Sequence, residues 1–166
     1  MLPFFNCLEI FNIFAVVLLI KDFILGRILA IDYGRKRSGI AVTDPQQLIA
    51  NGLKTIATHE IFTFLSDYFD KEDVDMIVVG YPKTMNNLPS EAVAYIHEFL
   101  KKFEVKFPNK EYFLMDERFT SKMAFQTMID GGLKKKQRRD KSLIDTISAA
   151  IILQSYLDYR ENIRNN

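Results

Sequence analysis

The stretch from Arg27 to Asp44 constrains the fold most. Arg27-Ile-Leu-Ala-Ile-Asp-Tyr-Gly34 reads as a strand of alternately buried residues that delivers Asp32 to its end. A tight turn bounded by Gly34 and Gly39 follows, then a second strand, Ile40 to Thr43. Two strands joined by so short a glycine-flanked connection pair as an antiparallel hairpin. A carboxylate at the end of a buried strand has an apolar wall behind it and an open sheet rim in front. That position suits a metal ion or a phosphate. The competing role is a turn-forming Asp that bonds its own backbone two residues on.

The rest of the chain must cover this hairpin. At 166 residues it has the length of one domain, and 48% hydrophobic with 26% charged residues supports an ordinary core. The net charge of +1 says nothing about partners as a total, so any nucleic-acid signal must lie in local clusters. A single cysteine, Cys7, excludes an internal disulfide framework and fits a reducing compartment. Met1 to Leu25 is apolar but lacks the basic start and small-residue cleavage site of a signal peptide. Asn6, Glu9 and Asn12 interrupt its front half and Lys21-Asp22 its back, which weakens a transmembrane reading. The globular pattern begins at Gly26, as it would if translation starts near Leu25 at a non-Met codon. A membrane-associated amphipathic helix is the second reading. The expected division is an apolar extension over 1–25, a domain over 26–160 and a polar tail over 161–166.

Beyond the hairpin, Leu53 to Thr58 alternates weakly and reads as a third strand. Ile61, Phe64, Leu65, Tyr68 and Phe69 recur at helical spacing, giving a helix from about His59 to Asp70. Val74 to Gly80 is an apolar run between turn signals, the mark of a strand covered on both faces. Pro89 suits a helix's first turn, and Val93, Ile96, Leu100 and Phe103 continue the stripe. Tyr112 to Asp116 is a further buried strand. Thr120 or Ser121 can cap a helix to Ile129, which Gly131-Gly132 ends. A basic loop leads to a last helix from Leu143 to about Tyr159. The order β-β-β-α-β-α-β-α gives an α/β fold, a five-stranded mixed sheet with helices on both faces, and resembles the ribonuclease H-like arrangement.

Three acidic residues fall at equivalent places in that order. Asp32 closes the first strand, Glu117 follows the strand ending at Asp116, and Asp145 opens the last helix. Glu117 alone could be a surface ion-pair partner. Ser142-Leu-Ile-Asp145 matches a helix-capping signature, so Asp145 alone could serve a backbone N–H. Taken together, all three converge on one rim of the sheet. Convergent carboxylates repel unless cations neutralise them, and hard oxygen donors call for Mg²⁺ or Mn²⁺. Two such ions could activate water and stabilise the leaving oxygen in phosphodiester hydrolysis. His59 and His97 are too scattered for a zinc site and read as helix-start and helix-surface residues.

Lys134-Lys-Lys-Gln-Arg-Arg-Asp-Lys141 places six cations in eight residues beside the helix that carries Asp145. A charge run is usually a solvated face. Here Lys134, Lys135, Lys136, Arg138, Arg139 and Lys141 stand where a polyanion would approach the rim, with Arg35, Lys36 and Arg37 of the hairpin turn on the same side. Contacts of this kind supply affinity without sequence specificity.

Ile31-Asp-Tyr-Gly34 with Gly39 to Asp44, Val79-Gly-Tyr-Pro82, Asp116 to Ser121 and Lys141 to Leu153 resemble the YqgF (RuvX) family. The resemblance covers Gly26 to about Tyr159. It implies a ribonuclease H-like nuclease fold related to the RuvC Holliday-junction resolvases. It further implies a cytoplasmic enzyme maturing the 5′ end of pre-16S ribosomal RNA, with Asp32, Glu117 and Asp145 as its acidic triad. RuvC-type sites carry a fourth carboxylate near the last one, and Ser148 and Ala149 offer none here. Structured RNA is therefore the expected partner, with branched DNA the alternative and no membrane role for the core domain. A non-catalytic RNA-binding assembly factor would need only the basic loop. An actin-like phosphotransferase would need a second domain for which this length has no room.

Overall fold

A computed structural model of the protein describes residues 25–82, 91–116, 120–135 and 137–165. Residues 1–24, Pro89, Glu117 and Lys136, together with the Thr120 and Ser121 side chains, lie outside the described residues.

The expected hairpin forms. β1 (Arg27–Tyr33) pairs antiparallel with β2 (Arg37–Thr43), and β2 pairs antiparallel with β3 (Ala50–Ala57). β4 (Val74–Tyr81) lies parallel to β1, and β5 (Glu111–Asp116) parallel to β4, giving a five-stranded mixed sheet in the order β3-β2-β1-β4-β5. Among the described residues four α-helices pack with the sheet: α1 (Ile61–Phe69), α2 (Glu91–Lys106), α3 (Thr120–Asp130) and α4 (Lys141–Arg164). This is the ribonuclease H-like α/β arrangement.

Strand alternation divides the core in two. Leu29, Ile31, Ile40, Ile77 and Val79 face α1 and α2, where Ile61, Leu65, Phe99 and Phe103 meet them. Ile28, Ala30, Ala41 and Val78 face α4, where Ala149, Ile152, Leu153 and Leu157 close the second core. Val78 and Val79 thus sit back to back in a strand buried on both faces. The α4 side of the sheet is lined by small residues, which brings one long helix close to it. A Cβ on Gly52 would stand 2.7 Å from Cγ2 of Thr146, so the helix packs on the strand there through a side chain.

Several element ends differ from expectation; β2, for one, starts at Arg37 and not at Ile40. β3 starts at Ala50, before the weak alternation at Leu53, because ladder pairing from Thr43↔Ala50 to Ala41↔Gly52 holds an edge strand whatever its side chains. α4 starts at Lys141 because the Asp140 side chain accepts from the Ser142 backbone N–H at 2.9 Å and acts as the N-cap. It also continues to Arg164 through the stretch expected to be a polar tail, since Glu161 to Arg164 contains no helix breaker.

Candidate functional site

The C-terminal ends of the parallel strands β1, β4 and β5 share one edge of the sheet, finishing at Tyr33, Tyr81 and Asp116. The start of antiparallel β2 and the end of β3 lie at the same edge, since Arg37 pairs with Ala57. In open α/β sheets this carboxyl edge is where ligands gather. Asp32 stands one residue from the end of β1, half-buried. It alternates with Ile28 and Ala30, so it faces the α4 side.

Gly39 joins Asp32 to Asp145. Its Cα is the ladder partner of Asp32, and its missing side chain lets the Asp145 carbonyl rest directly on the β2 backbone. Any Cβ there would fall far inside the 3.0 Å that such atoms keep from their neighbours. The sequence pattern makes Gly39 the far boundary of the hairpin turn. Its position within β2 shows a different role, the close approach of helix to sheet. The turn itself is closed by Gly34, whose N–H donates to the Arg37 carbonyl at 3.1 Å. Thr55 fixes the helix from the other side, its hydroxyl donating to the Ser142 carbonyl at 2.7 Å and lying 2.9 Å from the Thr146 hydroxyl. The first turn of α4 is therefore held against the strand that neighbours β1.

With Asp140 serving as the cap, the Asp145 carboxylate is released from that duty. Its Oδ2 instead accepts from Arg37 Nε at 2.8 Å, in an ion pair left partly exposed. Arg37, expected among the nucleic-acid contacts, is thus first a neutralising partner for Asp145. Arg35 and Lys36 remain exposed on the turn. Lys134, Lys135, Arg139 and Lys141 are exposed on the approach to α4, and Arg138 is half-buried within a short 3₁₀ turn, Gln137–Arg139. These cations flank the edge that carries Asp32 and Asp145. Glu117 follows Asp116 in sequence but lies outside the described residues.

Among the described residues no group of three His, Cys, Asp or Glu side chains gathers closely enough to hold a metal ion. Two of the three expected ligands, Asp32 and Asp145, are among those residues. Their donor chemistry, carboxylate oxygens at a half-buried rim, fits a hard divalent cation. A second feature agrees. Ser148, one turn after Asp145 on the same helix face, is buried with its hydroxyl lacking a hydrogen-bond partner. An orphaned polar atom one helical turn from the Asp145 position suits a site completed by an ion and its water. Tyr81 and His97, 3.2 Å apart at the end of β4, add a polar pair at the same edge on the other face of the sheet.

The chain resembles known proteins over most of its length. The RuvX family, described as Holliday junction resolvase, matches residues 26–159. A protein of Christiangramia forsetii named "Putative pre-16S rRNA nuclease" is 58% identical over 133 residues, covering 80% of this chain and 98% of its own length. Proteins of the same name from Flavobacterium johnsoniae and Phocaeicola vulgatus are 59% and 53% identical, over 79% and 84% of this chain and 95% and 100% of theirs. The chain belongs to the RuvX family.

Proposed function

We propose that the protein is a divalent-metal-dependent nuclease that hydrolyses phosphodiester bonds in structured RNA, at the 5′ end of pre-16S ribosomal RNA in the cytoplasm. The observation that carries this reading is the meeting of β1 and α4 across Gly39, which sets Asp32 and Asp145 at one carboxyl edge. The names of the relatives supply the substrate. We assign the activity to residues 26–160 and leave 1–25 outside the nuclease domain. Among the described residues no helix is long and apolar enough to cross a membrane.

Asp32, Glu117 and Asp145 would hold Mg²⁺ or Mn²⁺, and a two-ion site of this kind lowers the pKa of bound water and stabilises the leaving oxygen. The remaining work falls to the chain itself. Arg35 and Lys36 on one side and the 134–141 segment on the other hold the RNA backbone across the rim. Arg37 fixes the orientation of the Asp145 carboxylate through its Nε. Gly39 and Thr55 hold the helix that carries Asp145 at a constant distance from the strand that carries Asp32.

A junction-resolving DNA nuclease is the second reading, favoured by the family's description. The absence of a carboxylate at Ser148 and Ala149 argues against it. The test is Mg²⁺-dependent cleavage of pre-16S RNA and of a four-way DNA junction, run side by side. Cleavage of the RNA alone supports the proposal. Cleavage of the junction alone assigns the enzyme to DNA, and tight RNA binding without cleavage makes it an assembly factor.

A further inference from the structure

A concavity opens at the same edge on the opposite face of the sheet. Its volume is about 590 Å³, within the range typical of small-molecule sites. Three half-buried rings, Tyr33, Phe62 and Tyr95, line it together with the cations Arg35, Lys36 and Lys102. Tyr33 stacks on Phe99 with ring centroids 4.7 Å apart, and Phe62 leans on the same ring at 5.5 Å. The Arg35 guanidinium lies 5.8 Å from the Tyr95 ring centre. Glu98, also at the wall, is paired with Lys102 at 2.7 Å, so Arg35 and Lys36 leave the cavity with a positive balance.

The cavity shares a wall with the carboxylate edge. Asp32 and Tyr33 are consecutive in β1 and so face opposite sides of the sheet. The turn that follows them is held in place by Thr58, whose N–H donates to the Lys36 carbonyl at 3.1 Å and whose hydroxyl donates to the Gly34 carbonyl at 2.7 Å. A nucleic-acid strand crossing this turn would meet the carboxylates on one side and the aromatic cavity on the other. Rings combined with cations are the chemistry that holds unpaired nucleotides, through base stacking and backbone charge.

We propose that this cavity takes an unpaired nucleotide next to the scissile phosphate, its base against Tyr95 and Phe62 and its phosphate against Arg35 and Lys36. The enzyme then selects a single-stranded extension beside a duplex rather than the duplex itself. This rests on the nuclease reading and adds to it the part of the RNA that is recognised.

The test uses the full chain and two RNA hairpins of one sequence. One is blunt, and the other carries a short single-stranded extension with 2-aminopurine next to the duplex. The extended RNA should bind about tenfold tighter, the size expected for one stacked base. Its 2-aminopurine fluorescence should be quenched on binding. Tyr95→Ala should remove both the preference and the quenching while affinity for the blunt hairpin is kept, and Tyr95→Phe should restore them. Phe62→Leu, which keeps bulk but removes the ring, should weaken the preference without loss of fold. Equal affinity for the two hairpins, or a preference and quenching that survive Tyr95→Ala, overturns the inference. If Mg²⁺-dependent cleavage persists in that case, the nuclease reading stands and only the cavity is misassigned. If neither RNA is bound or cut, both fall.

Discussion

Replacing Gly39 with alanine tests how the site is assembled without touching any of its charges. The added Cβ would collide with the Asp145 carbonyl oxygen and carbon, and it would stand 3.1 Å from the Thr146 N. All three atoms belong to the helix backbone, so no rotamer change relieves the clash. The first turn of α4 and the β2 backbone would have to part by more than about 1 Å, a misplacement that costs on the order of 10²-fold in rate when it falls on catalytic groups. Overpacking of this kind destabilises by about 1–3 kcal/mol, which in a domain of this size lowers Tm by roughly 2–4 °C per kcal/mol. Gly52→Ala is the matched control. Its Cβ meets chiefly the Thr146 methyl group, which a side-chain rotation can move. The assay is a thermal melt beside Mg²⁺-dependent cleavage of structured RNA for both variants. Gly39→Ala should stay folded and lose most of its rate, and Gly52→Ala should keep most of it. Wild-type cleavage by Gly39→Ala would refute the claim that this close approach positions Asp145 against Asp32.

Other perturbations separate charge from packing. Arg37→Gln should lower metal-free stability by less than about 1 kcal/mol, because the Asp145 pair is partly exposed. It should also increase the Tm gain on adding Mg²⁺, since the carboxylate no longer shares its charge with a guanidinium; an unchanged gain would count against a shared site. Changing Lys134, Lys135 and Arg139 to Ala should weaken RNA binding and flatten its log–log salt dependence by up to about one unit for each phosphate that is no longer neutralised, with an identical slope assigning the segment to solvent. Asp44 makes a different, structural prediction. Backbone N–H groups, that of Ile49 foremost and then those of Leu48 and Gln46, hold its carboxyl below the ordinary value. A folded-state pKa below the unfolded one adds stability above the carboxylate range and loses it as pH falls through that range. Asp44→Ala should therefore melt earlier than wild type at pH 7 and converge with it in acid, measured by melts across pH. A gap that stays constant with pH would exclude the charge as its cause.

Much of this layout is legible in the residues. The apolar residues Ile28 to Ile31 mark a strand, which is buried on both faces and not alternately, and the apolar run at Val74 to Gly80 marks the central strand between two layers. Those patterns depend only on neighbours along the chain. The start of α4 is harder to read because Asp140 and Ser142 both offer capping side chains, and the competition is decided by where Thr55 and Gly39 hold the helix. With Asp140 the cap, the alternative role for Asp145 disappears, and its carboxylate pairs with Arg37, more than a hundred residues earlier. The role of Gly39 is hidden for the same reason. A glycine after a turn looks like part of the turn, and only the helix arriving from the far end of the chain shows why no side chain fits. The aromatic cavity has no local signature at all, since Tyr33, Phe62 and Tyr95 come from three separate elements.

The most direct measurement of the central claim is Mg²⁺-dependent cleavage of pre-16S RNA by Asp32→Asn, Glu117→Gln and Asp145→Asn, each beside wild type. Each substitution keeps the side chain's shape and removes one metal-holding charge. If the three carboxylates share ions at the rim, every variant folds, binds RNA and fails to cleave at any Mg²⁺ concentration that saturates wild type. Cleavage at the wild-type rate by any one of the three would contradict the assignment.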